Sequence, residues 1–301
     1  MSLPHDIARP PEQPGLVAIR DPGERPHAGA GAAERLALLR AHLAALGRVV
    51  VAYSGGVDSS VLLAVAHEQL GASALGVIGV SDSYASRELE LALAQAAHIG
   101  ARVETVRTGE LADPEFAAND TDRCYHCKTE LYEQLARVAA REGGSVVLDG
   151  TIADDLADWR PGRRAAAERD IRSPLAELGF TKADVRTAAE LLGLESAGKP
   201  ASPCLASRIP YGTAITRESL TQVERAEAAL HELGFNHLRV RHHGETARIE
   251  VPIADLTRVC APGVREGVVA ALKSLGFRWI AIDLEGLRSG NMNNSGTDAT
   301  G

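Results

Sequence analysis

The sequence predicts an α/β protein with a doubly wound parallel sheet, followed by a second, smaller α+β domain. The first observation is that short β-branched runs alternate with helical patterns between residues 33 and 148, which is typical of parallel strands joined by helices. The second is that glycine and small polar residues follow the predicted strands, where such sheets bind ligands. The third is a change of pattern after residue 211, where a helix–glycine–strand unit occurs twice.

The main domain is predicted from eight successive elements. Val49, Val50 and Val51 form a continuous β-branched run, which predicts a buried strand. The other strands are predicted at 74–80, 102–106 and 145–148, and the helices at 33–46, from 59 onward, at 87–99 and at 122–141. Because the carboxyl ends of parallel strands meet at one edge of a sheet, we expect residues 54–59, 81–82 and 149–155 along a single rim.

The smaller domain is predicted from an internal similarity. Residues 228–240, which end in Gly-Phe-Asn-His-Leu-Arg-Val, resemble residues 270–282, which end in Gly-Phe-Arg-Trp-Ile-Ala-Ile. Each copy combines the end of a helix, a glycine that stops it and a following strand. We expect residues 248–251 to form a hairpin with the strand of the first copy, giving a domain of two related halves.

Composition divides the chain, which at 301 residues is long enough for two domains. Residues 1–30 contain six of the fourteen prolines and little apolar periodicity, so we expect a disordered arm. The main domain is predicted at 31–210 and the small domain at 211–288. A flexible tail, rich in Gly, Asn, Ser and Thr, is predicted at 289–301.

The overall charge and hydropathy limit the class of protein. The formal net charge is −8 and 45% of the residues are hydrophobic. An acidic chain of this kind argues against a large nucleic-acid surface. No apolar run is long enough to span a membrane, and the first residues lack the core of a signal peptide. The expectation is a cytoplasmic enzyme with neither a membrane nor a nucleic acid as its partner.

The turn Ser54-Gly55-Gly56, directly after the first strand, is the most informative segment. Two glycines let the backbone turn tightly and approach a ligand. A strand, a turn and a helix start direct several backbone N–H groups at one point, which suits a phosphate. The pattern is neither a Walker loop nor a dinucleotide fingerprint. The motif Ser-Gly-Gly-x-Asp-Ser instead resembles the PP-loop of the ATP pyrophosphatases, enzymes that cleave ATP to AMP and pyrophosphate.

Side chains around this turn are candidate ligands for a nucleotide and Mg²⁺. The hydroxyls of Ser54 and Ser59 can donate hydrogen bonds to phosphate oxygens. Asp58 repels a bare phosphate, so we expect a Mg²⁺ ion between the two anions; the alternative is that Asp58 caps the helix. Ser81 is expected beside the adenosine. The run Asp149-Gly150-Thr151 resembles the second nucleotide loop of the same superfamily, in which Asp154 or Asp155 would help to place Mg²⁺.

The cysteines form a second group of candidate ligands. In a reducing compartment they are not expected to pair in disulfides. Cys124 and Cys127 form a Cys-x-x-Cys that can place two thiolates on one metal ion or cluster, and Cys204 is a candidate third ligand. A zinc ion would need a fourth ligand, for which His126 and Cys260 are candidates. The plainer alternative is that Cys124 and Cys127 are buried packing residues.

Several further motifs are together similar to the LarE family of ATP-dependent sulfur transferases. They are Trp159-Arg-Pro-Gly, Cys204-Leu-Ala-Ser-Arg-Ile-Pro-Tyr-Gly, Arg239-Val-Arg-x-His and Gly286-Leu-Arg-Ser-Gly. The resemblance covers about residues 33 to 292 and implies a sheet of the PP-loop (HUP) type. It also implies ATP and Mg²⁺ as cofactors and pyridinium-3,5-biscarboxylic acid mononucleotide as the substrate. The product would be a thiocarboxylate for the nickel-pincer cofactor of lactate racemase.

The resemblance also implies roles for individual residues. ATP would adenylylate a substrate carboxylate, because AMP is a leaving group that makes the acid reactive, and Cys204 would take part in delivering sulfur. Ser207 and Arg208 would hold a phosphate or carboxylate of the substrate. Arg239 and Arg241 alternate on one strand and would form a phosphate clamp.

Two sources of sulfur stay open. In family members with one synthase cysteine, that residue gives up its own sulfur and becomes dehydroalanine. This chain has Cys124 and Cys127 in addition to Cys204, as in sulfur transferases that use a [4Fe–4S] cluster. The resemblance therefore favours a cluster held by three cysteines, and Cys204 takes part in either route. The donor of the sulfide is not identified by the sequence.

The remaining expectations concern nearby residues and other functions. Glu227 and Glu250 match acids that lie near the phosphate clamp in the family. The segment Arg160–Arg164 is either a cover for the substrate or a solvated charge run, and a homo-oligomer is expected from the family. The alternatives are a PP-loop enzyme that thiolates tRNA or forms amides, and a nucleotide-binding regulator. The acidic balance disfavours tRNA, and a regulator gives no reason for three placed cysteines.

Overall fold

The structure is a computed structural model that describes residues 31–157 and 161–288. The predicted arm at 1–30, the predicted tail at 289–301 and residues 158–160 lie outside the described residues. Within the described ranges the strands are β1 Val49–Ala52, β2 Ala74–Val80, β3 Arg102–Arg107, β4 Val146–Leu148, β5 Arg239–His243, β6 Thr246–Glu250 and β7 Trp279–Ile282. The helices are α1 Ala32–Ala44, α2 Val57–Leu70, α3 Ser86–Ile99, α4 Pro114–Ala118, α5 Arg123–Arg141, α6 Pro161–Ala167, α7 Pro174–Glu177, α8 Lys182–Leu191, α9 Arg217–Glu232, α10 Leu256–Cys260 and α11 Val264–Ser274.

The main sheet has four parallel strands in the order β3-β2-β1-β4. Each strand predicted from the sequence is present, with ends that differ by no more than one residue. Because all four strands run in the same direction, the segments after β1, β2 and β4 lie at one edge of the sheet. The predicted rim is therefore confirmed.

Both faces of this sheet are buried, which confirms the doubly wound class. On β1, Val49 and Val51 belong to a core formed with α1, α2, α3 and α8, whereas Val50 and Ala52 face α5 and α6. The three β1 valines have no exposed surface, and burying each one contributes about 1.5–3 kcal/mol. A strand buried on both faces needs apolar residues at every position, as the sequence has here.

A second sheet has the order β5-β6-β7. Strands β5 and β6 are antiparallel, so the predicted hairpin is confirmed, and β7 lies parallel to β6. Helices α9 and α11 precede β5 and β7, and each is followed by a left-handed glycine, Gly234 (φ 86°) and Gly276 (φ 96°). This sheet has its own apolar core around Phe235 and Phe277. The domain boundary at residue 210 stays a prediction.

Two further findings frame the site. An apolar cluster that includes Phe116, Leu205 and Ile215 joins the segment around Cys204 to the region of α4 and α9. Across the described part of the chain, none of the helices combines the length and the apolar character that crossing a bilayer requires.

Candidate active site

The glycine turn after β1 leaves the start of α2 open. Gly55 has a φ of +67°, and a Cβ at this position would lie 2.6 Å from the Cβ of Ala92, so only glycine fits. Gly56 is the N-cap of α2 and no side chain caps the helix. The first N–H groups of an uncapped helix are available to an anion, and the helix dipole favours negative charge there.

Ser54 and Ser59 hold the shape of this turn. The Ser59 Oγ accepts a hydrogen bond from the Ser54 N–H at 3.2 Å and donates to the Gly56 carbonyl at 3.1 Å. The two serine hydroxyls are themselves 3.2 Å apart. Across the turn, the Tyr84 hydroxyl donates to the Ser54 carbonyl at 3.0 Å. The serines therefore preorganise the loop in addition to any contact with a ligand.

Asp58 forms an ion pair with Lys182 and does not cap α2. Its two carboxylate oxygens each lie 2.8 Å from the Nζ of Lys182. Lys182 is the first residue of α8, and Thr181 forms a capping box with Asp184 at this helix start. The cap alternative for Asp58 is therefore wrong in this structure, since α2 has no side-chain cap.

The second loop packs directly against the start of α2. A Cβ on Gly150 would lie 3.0 Å from the backbone nitrogen of Ser59 and 3.3 Å from the carbonyl carbon of Asp58, so the glycine permits this close approach. The Asp149 carboxylate is buried and accepts hydrogen bonds from Tyr132 at 3.0 Å, Ser173 at 2.7 Å, and the Thr151 backbone and hydroxyl at 3.1 and 2.9 Å. Asp149 thus fixes the loop from inside.

Two neighbouring acids of this loop also have local partners. Asp154 accepts a hydrogen bond from the backbone N–H of Lys182 at 2.7 Å. Asp155 accepts one from the backbone N–H of Ile152 at 3.1 Å. The contact of Asp154 with Lys182 ties the second loop to the residue that binds Asp58.

Ser81 lies at the rim, at the end of β2, with its hydroxyl engaged. It donates to Glu110 Oε1 at 2.5 Å, and the Ser83 hydroxyl donates to the same oxygen at 2.7 Å. Glu110 is only 3% exposed, and its other oxygen has no hydrogen-bond partner among the described residues. Asp82 forms an ion pair with Arg217 at 3.0 Å.

The three candidate cysteines lie in one neighbourhood as free thiols. Cys124 and Cys127 are in the first two turns of α5, and Cys127 and Cys204 pack against the same apolar cluster. Burial raises the pKa of the Cys127 thiol, and the charges of Glu110, Cys204 and Cys124 raise it further. Burial also raises the pKa of Cys204, which the positive charge of Arg123 lowers in part. Each thiol is therefore within electrostatic reach of another.

The zinc alternative is not supported by this arrangement. In the ranges that the structure describes, no three His, Cys, Asp or Glu side chains converge as ligands of a single ion. His126 instead contacts Asp113 at 3.2 Å and Asp122 at 3.7 Å, and Cys260 is exposed at the end of α10. A tetrahedral zinc site requires four ligands around one point.

Arg208 is buried and fully engaged. Its Nε and Nη2 bind the two oxygens of Glu227 at 2.9 and 3.0 Å. Its Nη1 donates to the Pro203 carbonyl at 2.5 Å and to the Ser207 hydroxyl at 3.1 Å. Ser207 and Arg208 therefore contact each other and the backbone beside Cys204.

Arg239 and Arg241 have different surroundings although both lie on β5. Arg241 is 2% exposed and forms a bidentate pair with Glu250 at 3.0 and 2.9 Å. Arg239 donates to the carbonyl of Arg288 at 2.9 Å and also lines a cleft. Burial lowers the pKa of Arg239, and the charges of Arg208 and Arg241 lower it further.

The cleft connects the glycine turn to the second sheet and has a volume of about 360 Å³. Its lining residues include Gly55, Lys199 and Arg239. The Nζ of Lys199 lies 2.7 Å from Glu88 and donates to the Gly55 carbonyl at 3.4 Å. A volume of this order is typical of sites for small-molecule ligands.

Comparison with known proteins identifies the family. A family model described as asparagine synthase, a PP-loop ATP pyrophosphatase domain, matches residues 37–248. The chain is 40% identical, over 89% of its length and 96% of the relative, to the pyridinium-3,5-bisthiocarboxylic acid mononucleotide synthase of Lactiplantibacillus plantarum. The chain belongs to the LarE family. An uncharacterised protein of Synechocystis is 45% identical to this LarE-family chain, over 86% of the chain and 97% of the relative. An uncharacterised protein of Methanocaldococcus jannaschii is 30% identical, over 80% of the chain and 91% of the relative.

Sequence reasoning on this LarE-family chain missed two lysines. Lys182 lies within a recognisable helix start, Thr181-x-x-Asp184. This motif locates α8 but does not reveal the contact of Lys182 with Asp58, 124 residues earlier in the chain. Lys199 lies in an irregular segment without any periodic signal. Arg160, which the sequence analysis placed in a segment that either covers the substrate or is a solvated charge run, lies outside the described residues. Arg164 of the same segment stacks on the Tyr125 ring, with 3.8 Å between its Cζ atom and the ring centroid.

Proposed function

We propose that this protein is an ATP-dependent sulfur transferase that converts a carboxylate of pyridinium-3,5-biscarboxylic acid mononucleotide to a thiocarboxylate. The proposal is supported by the relative whose name carries the bisthiocarboxylic product. The observation that carries it is a backbone hydrogen bond from Leu205 to the Ser83 carbonyl, 2.8 Å long. This bond holds the segment of Cys204 at the rim after β2, where the sulfur and nucleotide chemistry would share one edge of the sheet.

The glycine turn would bind the pyrophosphate part of ATP. The uncapped start of α2 supplies N–H groups from Gly56 onward, and the hydroxyls of Ser54 and Ser59 line the turn. Asp58 would hold Mg²⁺ when the nucleotide is bound; in the structure its carboxylate is paired with the ammonium group of Lys182. The rim after β2 and the second loop, with Ser81 and with Gly150 and Thr151, would flank the AMP part.

The first step forms an acyl adenylate. A carboxylate oxygen of the substrate attacks the α-phosphorus of ATP, and the bond to the bridging oxygen breaks, so that pyrophosphate leaves with the electron pair. Lys182 and the N–H groups of α2 stabilise the negative charge that develops on the leaving group. A sulfur nucleophile then attacks the carbonyl carbon, and AMP leaves.

The phosphate of the substrate would bind in the cleft between the two sheets. Arg239 lines this cleft, and Lys199 reaches it beside the glycine turn. A guanidinium group suits a phosphate because its parallel N–H groups match two oxygens. With the phosphate held there, the pyridinium carboxylate would face the turn.

A [4Fe–4S] cluster held by Cys124, Cys127 and Cys204 would supply the sulfide. The donor set fits such a group because each cysteine of a cluster binds its own iron, so that the three thiols need not converge on one point as zinc ligands do. Cys127 and Cys204 pack against the same apolar cluster, and burial raises the pKa of both thiols. The alternative is that Cys204 gives up its own sulfur.

Pyrophosphate release tests this function. With ATP and Mg²⁺, the protein should release pyrophosphate only when the pyridinium mononucleotide is added. Release that depends on tRNA instead would replace the proposed substrate with a nucleic acid. Anaerobically reconstituted protein should contain about four iron and four sulfide ions per chain. A protein that binds no iron would favour the sacrificial route, in which Cys204 gives up its own sulfur.

Two broader expectations belong to the same proposal. A cytoplasmic homo-oligomer is expected for this enzyme, with a small-molecule nucleotide as its substrate. Light scattering coupled to size exclusion measures the mass in solution, and a monomer at the concentration used for activity would contradict the oligomer.

A further inference from the structure

The short segment from Pro203 to Ser207 is held by hydrogen bonds to most of its backbone groups. The Leu205 N–H donates to the Ser83 carbonyl at 2.8 Å, and the Ala206 carbonyl accepts from Arg123 at 3.0 Å. These bonds attach one side of the segment to the main sheet and to the helix of the Cys-x-x-Cys. The other side is held from the small sheet.

Arg208 makes the first of these contacts with the small sheet. Its pair with Glu227 leaves Nη1 to donate to the Pro203 carbonyl at 2.5 Å and to the Cys204 carbonyl at 3.3 Å. Glu227 in turn accepts the backbone N–H of Val240 at 2.9 Å, which fixes the carboxylate to β5. The backbone of Cys204 is thereby linked to the small sheet through one buried ion pair.

Arg241 makes the second contact. Two of its nitrogens bind Glu250, which has no exposed surface, and the third donates to the Ser207 carbonyl at 2.7 Å. These three contacts use one donor on each nitrogen of the guanidinium, and the side chain is 2% exposed. Arg239, two residues earlier on the same strand, lines the cleft, whereas Arg241 does not.

We propose that Arg241, held by Glu250, is a positioning residue that sets the place of Cys204, and that Arg239 alone of this strand pair faces the substrate phosphate. The reason is that reaction between a sulfur atom and an acyl carbon requires placement within a fraction of an ångström. The inference rests on the proposed function for its substrate. Its geometry, a guanidinium bridging Glu250 and the Ser207 carbonyl, is independent of it.

Two sets of variants distinguish positioning from phosphate binding. Arg241→Lys keeps a positive charge beside Glu250 but cannot bridge to Ser207 with a planar fork. The double variant Arg241→Met with Glu250→Leu removes both buried charges, so that it folds without an unpaired carboxylate. Arg239→Gln is the matched control on the same strand. Thermal unfolding of each variant checks that it is folded.

Each folded protein is measured in two ways. The first is the rate at which iodoacetamide alkylates Cys204 in metal-free protein, relative to the exposed Cys260 of the same molecule, by peptide mass spectrometry. The second is the dissociation constant for nicotinic acid mononucleotide, a pyridinium carboxylate with one phosphate, by calorimetry.

The Arg241 variants should alkylate faster at Cys204, by about fivefold, because loss of the contact with the Ser207 carbonyl gives iodoacetamide more access to a thiol that is only partly exposed. They should bind the mononucleotide within twofold of the unaltered protein. Arg239→Gln should do the reverse and weaken binding by about tenfold, the loss of one charge-assisted hydrogen bond. Weaker binding with unchanged alkylation in the Arg241 variants would overturn the inference, as would no change in either. Failure of the proposed function would show as absent binding in the unaltered protein, while the alkylation result would stand.

Discussion

Replacing Lys182 with methionine separates its role in folding from its role in chemistry. Lys182 and Asp58 form an ion pair of 2.8 Å, but their side chains are 39% and 27% exposed. Ion pairs with such access to solvent contribute about 0.2–1 kcal/mol, which corresponds to a change in melting temperature of about 4 °C or less. In contrast, a charged donor on the leaving pyrophosphate contributes about 1.5–3 kcal/mol, or roughly 10- to 150-fold in rate.

The assay is substrate-dependent pyrophosphate release at saturating ATP and Mg²⁺, with thermal unfolding measured on the same samples. Lys182→Met should lose rate by that factor while it melts close to the unaltered protein. The control is Lys273→Met, on the exposed face of α11, which should change neither quantity. A Lys182→Met protein that releases pyrophosphate at the normal rate would refute the reasoning. A variant that melts well below the unaltered protein would show that Lys182 acts mainly in stabilising the fold.

Three further changes test other parts of the structure. Gly150→Ala should weaken ATP binding in calorimetry by about 1–3 kcal/mol, because the added methyl group would lie 3.0 Å from the backbone at the start of α2. Unchanged binding would show that this loop does not contribute to the nucleotide site. Glu227→Gln should lower stability by about 3–5 kcal/mol in thermal unfolding, because it leaves a buried arginine unpaired; a loss below 1 kcal/mol would contradict that pairing. Glu177 has a pKa of about 2, since hydrogen bonds from His42 and Arg172 outweigh the upward effect of burial. Its ionised form therefore stabilises the fold above pH 4.5, and this stabilisation is lost as the pH falls from 4.5 towards 2. The difference in melting temperature between Glu177→Gln and the unaltered protein should narrow over that range. A difference that stays constant would contradict this pKa.

Local patterns in the sequence determined most of what could be predicted about the main sheet. The valine run of β1 has one arrangement that buries every residue, between two layers of helices. The glycine turn requires Gly55 because its backbone is left-handed and lies against Ala92. The common direction of the strands then brings three separate segments to one rim without further information.

The contacts between the two sheets could not be predicted in the same way. Alternation on β5 places Arg239 and Arg241 on one side of the strand, but the sequence does not show which of them the segment after Cys204 covers. The contact of Lys182 with Asp58 likewise depends on how α8 packs beside α2. These are long-range contacts, and no local periodicity encodes them.

The central claim is most directly tested by mass spectrometry after a single anaerobic turnover, with the small molecule and the intact protein measured from the same reaction. The account predicts that one oxygen of the pyridinium mononucleotide is exchanged for sulfur while the mass of the chain, including Cys204, stays unchanged. A product without sulfur would contradict the transfer itself. A thiocarboxylate accompanied by dehydroalanine at position 204 would contradict the cluster as its source.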